Sequence, residues 1–197
     1  MAADGSGEPE AIAEGGVLAL SADGGLMVFV RDGGATKQDV WSMSLDGSSE
    51  PTVFLQTEAA ETMAALSPAG RFVAYVSDES GESQIYVKPF PGGAGRWQAS
   101  VDGGRMPRWG PAGDRLHFID TSGNLMGVSF SSSPRVRLGT PELVVDRKKT
   151  PFAAFRHYNV APDGRFVLIR NVKKGDAEQE AVEGIYVVEN WPAEFLD

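Results

Sequence analysis

"SPAGRFVAYVSDESGESQIYVKPF", residues 67–90, alternates Phe72, Ala74 and Val76 against Val73, Tyr75 and Ser77, turns through Asp78–Glu82, and resumes at Ile85, Tyr86 and Val87. Alternation of this kind, bounded by Gly, Asp and Ser, predicts two β-strands around a tight turn. A lone hairpin is marginal in water, so these strands need partners. The sequence supplies them by repetition. Aligned on a turn glycine, "SADGGLMVFV" (Gly24), "SPAGRFVAYV" (Gly70), "GPAGDRLHFI" (Gly113) and "APDGRFVLIR" (Gly164) match, at spacings of 46, 43 and 51 residues. Each glycine is followed by a strand, a polar loop and a second strand with an aliphatic–bulky pair: Val40-Trp41, Ile85-Tyr86, Leu125-Met126, Ile185-Tyr186.

A period of 40–50 residues with several short strands per unit predicts an all-β chain, a β-propeller of about four four-stranded blades. The innermost strand of each blade precedes the glycine turn: Val17–Leu20, Met63–Leu66, Met106–Trp109 and His157–Val160. The outermost strands are "PTVFLQ" (Pro51), "RWQAS" (Arg96) and "PELVVD" (Pro141); an edge strand tolerates proline because its outer donors are unpaired. The fourth unit runs out of chain before an outer strand. "PEAIAE" from Pro9 resembles "PELVVD" and is expected to fill that place, a Velcro closure of the ring. One domain over residues 9–197 follows a flexible N-terminus, 1–8, with blades near 17–56, 62–100, 105–146 and 156–190 plus 9–14. Four blades leave three arrangements: a ring closed within one chain, completion by dimerisation with a second copy, or a part of a larger propeller.

Composition narrows the function. The 197 residues are 42% hydrophobic and 23% charged, ordinary for a globular protein able to bury a sizeable core. A net charge of −9 at pH 7 argues against nucleic acid and anionic membranes as partners, since both attract a basic face. With no cysteine there is no disulfide framework, no thiol nucleophile and no Cys-based zinc or iron–sulfur site. No run approaches 18 apolar residues, and "MAADGSGEPEA" has neither the basic start nor the apolar stretch of a signal peptide. A cytoplasmic location is expected if the chain is complete.

The segments "SPAGRFVAYVS", "IYVKPFPGGAGRWQAS", "GGRMPRWGPAGDRLHF", "NLMGVSF", "YNVAPDGRFVLI" and "VVENW" together resemble TolB-like, WD-repeat-like propeller repeats, in particular those at the C-terminal end of bacterial serine/threonine kinases and sensor proteins. The resemblance covers most of the chain. It implies a propeller with a binding or sensing role, and it departs in blade number, since such propellers usually have six or more. No kinase motif is present, so kinase activity is not implied.

In a propeller the inner strands start at the top of the central channel, on the same face as the middle hairpin loops, and the glycine turns lie at the bottom. Asp23 and Asp163 are therefore expected as turn formers. The top face should carry Asp32, Asp78, Glu79, Glu82 and Asp120 from hairpin loops, and Glu61, Arg105, Arg156 and His157 from inner-strand starts. "DESGE" (78–82) and "DTSGN" (120–124) share a D-x-S-G-[EN] pattern. Hairpin turns explain it on backbone grounds, and a calcium loop is its chemical alternative. A single Ca2+ held by Glu61, Asp78, Asp120 and Asn159 across the channel is a separate expectation. In "DRKKTPFAAFRHYN" (146–159) basic and aromatic residues interleave, so that Arg105, Arg156, Phe155 and Tyr158 are candidate ligand-binding residues for a small-molecule or peptide ligand at the channel mouth. The alternative reading of the run is a solvated basic turn followed by core aromatics.

Catalytic chemistry has few bearers. There are two histidines and no G-x-S-x-G elbow. His117 falls in a strand column with Val28, Ala74 and Leu168 and is expected to be packed. A calcium-dependent hydrolase of the lactonase or esterase type would use a metal-activated water, with His157 or a carboxylate as base and Arg105 or Arg108 as the group polarising a carbonyl. Two functions are thus open: a TolB-like binding and recognition module, and that hydrolase, which resembles calcium-dependent propeller lactonases in architecture alone.

Overall fold

The computed structural model describes residues 8, 11–150, 158–169 and 186–188, and among these every regular element is a strand. The first sheet orders β1 (Gly16–Leu20), β2 (Leu26–Gly34), β3 (Lys37–Ser44) and β4 (Thr52–Leu55) side by side, all antiparallel. The second repeats this with β5 (Glu61–Leu66), β6 (Phe72–Ser77), β7 (Gln84–Pro89) and β8 (Trp97–Gln98). The third runs β9 (Arg105–Trp109), β10 (Arg115–Ile119) and β11 (Leu125–Ser131). Its outer edge is divided between β12 (Arg137–Leu138) and β13 (Glu142–Val145), both paired with β11. The fourth has β14 (Asn159–Val160), β15 (Phe166–Leu168) and β16 (Tyr186–Val188).

The repeat register read from the glycines is reproduced hydrogen bond by hydrogen bond. Gly24, Gly70, Gly113 and Gly164 each donate to the carbonyl three residues earlier (Ser21, Ser67, Gly110 and Ala161), at 2.8–2.9 Å. Their φ values of 71°, 67°, 72° and 86° lie in the left-handed region, where glycine carries no Cβ penalty. In the first two turns a serine hydroxyl adds a second clasp, Ser21 Oγ accepting from Leu26 N at 2.9 Å and Ser67 Oγ from Phe72 N at 3.0 Å.

Inner strands begin slightly earlier than the alternation suggests, at Gly16, Glu61 and Arg105. The reason is an irregularity that hides the first residues from a period-two reading. Register shifts fall between Thr62 and Ala65 and opposite Arg105–Arg108, and at them Met63 and Met106 take φ of 50° and 56°. A bulge of this kind bends a strand and re-aims its side chains. Residues 11–14 of the expected N-terminal outer strand form no strand, while Pro9, Glu10 and most of residues 183–190 lie outside the described residues.

Three apolar clusters bind successive sheets. Val28, Val40, Leu55, Ala64, Val73, Tyr75, Tyr86 and Phe90 join the first to the second. Ala65, Ala74, Ile85, Trp109, Leu116 and Phe130 are among those joining the second to the third, and Met106, Ile119, Leu125, Val145, Tyr158 and Leu168 join the third to the fourth. Each inner strand packs on the sheet before it, β5 on β2 and β3, and β9 on β6 and β7. Connectivity sorts the ends: the glycine turns share one end, here the bottom, and hairpin loops with inner-strand starts share the other, the top.

Candidate functional site

The top of the seam between the first two sheets carries four carboxylates, Asp39, Glu61, Asp78 and Glu79. Asp39 stands third in β3, between exposed Gln38 and buried Val40, and is itself 0% exposed. Its Oδ2 accepts from Gln56 Nε2 at 2.8 Å and Thr36 Oγ1 at 2.9 Å, while Oδ1 has no partner. Gly33 faces this carboxylate with no side chain, and a Cβ there would collide with Asp39 and Thr36. Glu61, the first residue of β5, is 1% exposed. Its Oε1 accepts from Thr57 Oγ1 at 2.5 Å and its Oε2 is also unpartnered. Burial pushes the Glu61 carboxyl above its ordinary value against the opposing Thr57 hydrogen bond, and the charges of Asp39 and Glu79 push the same way.

Asp78 and Glu79 complete the group on the loop from β6 to β7. Asp78 Oδ1 accepts from Ala60 N at 2.8 Å and Oδ2 from Lys37 Nζ, 3.1 Å away on the first sheet. Those two contacts, the amide first, hold Asp78 below the usual carboxylate range. Glu79 pairs with Arg96, whose guanidinium lies 4.7 Å from the Tyr86 ring centre. Lys37, Thr57, Glu58, Ala59, Asp78 and Glu79 wall a cleft of about 370 Å³.

The other expected site residues are dispersed. Asp120 closes its own hairpin, Oδ1 accepting from Asn124 N at 2.8 Å and Oδ2 from Asn124 Nδ2 at 2.9 Å. Asn159, exposed on β14, accepts from Val160 N at 2.9 Å. Glu61, Asp78, Asp120 and Asn159 therefore have separate partners, and no group of three or more His, Cys, Asp or Glu that could hold a metal ion is present among the described residues. "DESGE" and "DTSGN" are hairpin turns, closed by Gly81 N to Asp78 O at 2.9 Å and Gly123 N to Asp120 O at 3.1 Å. Arg105 and Arg108 are half-buried on β9, and Arg108 Nη1 donates to Pro107 O at 2.9 Å.

Tyr158 is a correction. Expected at a ligand, it is 4% exposed in the third apolar cluster, and its hydroxyl donates to Met106 O at 2.9 Å. Burial raises its pKa, so the phenol stays neutral. Phe155, Arg156 and His157 lie outside the described residues. His117 is packed, 6% exposed, with its ring 4.9 Å from that of Phe166. Burial, aided by Arg115, lowers its pKa to about 4, and the imidazole is neutral at pH 7.

Asp39, Gln56, Thr57, Glu58 and Arg96 are site residues that the sequence reading did not single out. One weak signal was present for Asp39: aspartate is depleted in strands, and this one directly precedes the Val40-Trp41 pair. Nothing local marks the other four, which are polar loop and edge residues like many others.

No family model and no curated protein matches this sequence. Solved structures do. TolB from Acinetobacter baumannii is similar over 78% of this chain and 39% of its own, at 16% identity and a TM-score of 0.58. A puromycin-hydrolyzing peptidase of Mycobacterium tuberculosis matches over 76% of this chain and 27% of its own, at 16% identity and 0.56. A gluconolactonase from Xanthomonas campestris matches over 76% and 53%, at 10% identity and 0.53. The chain thus spans about half, or less, of the length of each of these proteins. At such identities the likeness concerns the fold: this is an all-β chain of antiparallel sheets with the TolB-like propeller fold.

Proposed function

We propose that this chain is a recognition propeller that takes a small-molecule or peptide ligand at its top face. The observation that carries the reading is the contrast between the two ends. Bottom turns use their polar groups on their own backbone, Ser67 and Gly70 among them. At the top, the first seam leaves a cleft beside carboxylate oxygens with no partner. Buried polar groups are normally satisfied, and departures from that rule concentrate at functional sites. Four blades would form the recognition ring either within one chain or with a second copy, and light scattering near 21.0 kDa or near twice that mass separates the two.

The test is selection from a random peptide library on immobilised protein, followed by binding to top-face and bottom-face variants. Ligands lost in the top-face pair Asp78→Asn and Glu79→Gln, and kept in the bottom-face Arg71→Ala, are expected. Ligands lost only in Arg71→Ala would overturn the assignment. The competing proposal, a calcium-dependent lactone or ester hydrolase using His157 and Arg108, predicts turnover of a chromogenic lactone or ester that disappears with chelator. A gluconolactonase among the fold neighbours motivates including that assay.

A further inference from the structure

We infer that the top-face cleft of the first seam recognises an organic cation, the ammonium or guanidinium of a basic peptide side chain. This deepens the recognition reading above and rests on it. Beside Asp39, Glu61, Asp78 and Glu79 stand two cations, Lys37 from the first sheet and Arg96 from the second, and both are engaged by the outer pair, Asp78 and Glu79. Glu58 adds a further acid to the cleft wall. Deeper in the seam, outside the cleft lining, Asp39 at 0% and Glu61 at 1% exposure each retain an oxygen without a hydrogen bond. A buried carboxylate without a counter-charge is costly, and a positive group brought close to it is favoured more than at an exposed acid, because little water screens the field.

The kind of cation follows from the donor set. A hard metal ion fills a shell of six to eight oxygens, several of them carboxylates. Among the described residues no three His, Cys, Asp or Glu side chains are placed so as to hold a metal ion together. An ammonium or guanidinium needs only a few acceptors placed around its N–H bonds. The chain itself shows the fit: Lys37 crosses from the first sheet to Asp78 at 3.1 Å, and Arg96 reaches Glu79 while covering the Tyr86 ring. Glu61 is linked to the cleft through Thr57, the wall residue whose hydroxyl it accepts from.

The experiment measures fluorescence anisotropy of a labelled hexapeptide carrying two lysines, beside twins with acetyl-lysine and with glutamate, on the whole chain. The lysine peptide should bind, about tenfold or more tighter than either twin, and weaken as salt rises from 50 to 200 mM. Glu61→Gln and Asp39→Asn, which conserve shape, should each lower its affinity several-fold while melting at or above the parent temperature. Equal binding of the acetyl-lysine twin would overturn the cation while leaving top-face recognition standing. Binding that is unchanged in both variants would overturn the role of the buried pair. A thermal shift with calcium chloride alone, lost in Glu61→Gln, would replace the organic cation by a metal. If none of the three peptides binds, yet library ligands are lost in the top-face variants, the cation is overturned alone; if library ligands ignore the top face as well, both readings fall.

Discussion

The seam between the first two sheets and the two seams that follow are closed by different chemistry. In the later seams an aromatic ring on the incoming inner strand reaches into the preceding one. Trp109 Nε1 donates to Ala65 O at 3.0 Å, and Tyr158 Oη to Met106 O at 2.9 Å. Each bond runs from a donor to a carbonyl one column earlier in the repeat, and the Tyr158 bond lies two columns before the Trp109 bond. The second inner strand, "ETMAAL", has no aromatic residue. Its seam has an apolar body but is joined at the top by charge, Lys37 to Asp78, above two carboxylates. The second seam is open instead at its bottom, where Ser67, Arg71, Asp114 and Ser131 are among the residues lining a cleft of about 290 Å³. The polar seam has acceptors without donors, and this is why the candidate site lies there.

The ring-closed seams should fail hardest when the ring goes. Trp109 is 8% exposed and sits edge-on to Phe130, with ring centres 5.0 Å apart. Trp109→Ala removes that packing and orphans a carbonyl, and should cost about 3–5 kcal/mol in urea unfolding. A loss under about 1 kcal/mol would mean that the second seam is held elsewhere. Tyr158→Phe keeps the ring and deletes only the donor, so about 1–2 kcal/mol is expected. If the phenylalanine variant matched the parent, the hydroxyl bond to Met106 would not be part of what closes the third seam.

How far the sequence reveals this depends on the kind of interaction. Backbone conformation is local, and the glycine turns, the hairpins around Asp78 and Asp120 and the inner-strand positions are all readable from it. Which side chain a loop residue meets is not local. Asp78 and Asp120 occupy the same place in the same D-x-S-G-[EN] pattern, yet Asp120 holds its own Asn124 whereas Asp78 reaches a lysine 41 residues away. Tyr158 looked available because its neighbours are basic, and its burial depends on Met106, 52 residues earlier. Glu61 was legible as a top-face acid, but its companion Asp39 follows Lys37 and Gln38 in a polar strand start, and its burial depends on Gln56, 17 residues away.

The polar seam makes the opposite prediction, a gain on removing a charge. Glu61 has its pKa raised in the folded chain, chiefly by burial. Below the ordinary value of 4.5 the carboxyl is protonated in both states and burial carries no charge penalty. As pH rises the unfolded chain ionises first, and the stability present at low pH is lost through the interval up to the folded value. Urea midpoints of the parent should therefore decline across that window relative to Glu61→Gln, which has no proton to lose. The two should agree more closely below pH 4.5 than at pH 7, where the variant is expected to be modestly the more stable. An unchanged difference across the range would show that Glu61 is compensated in the native state. Repeating the pH 7 measurement with saturating lysine peptide links stability to occupancy: a cation that binds beside the carboxylate stabilises the parent more than the variant.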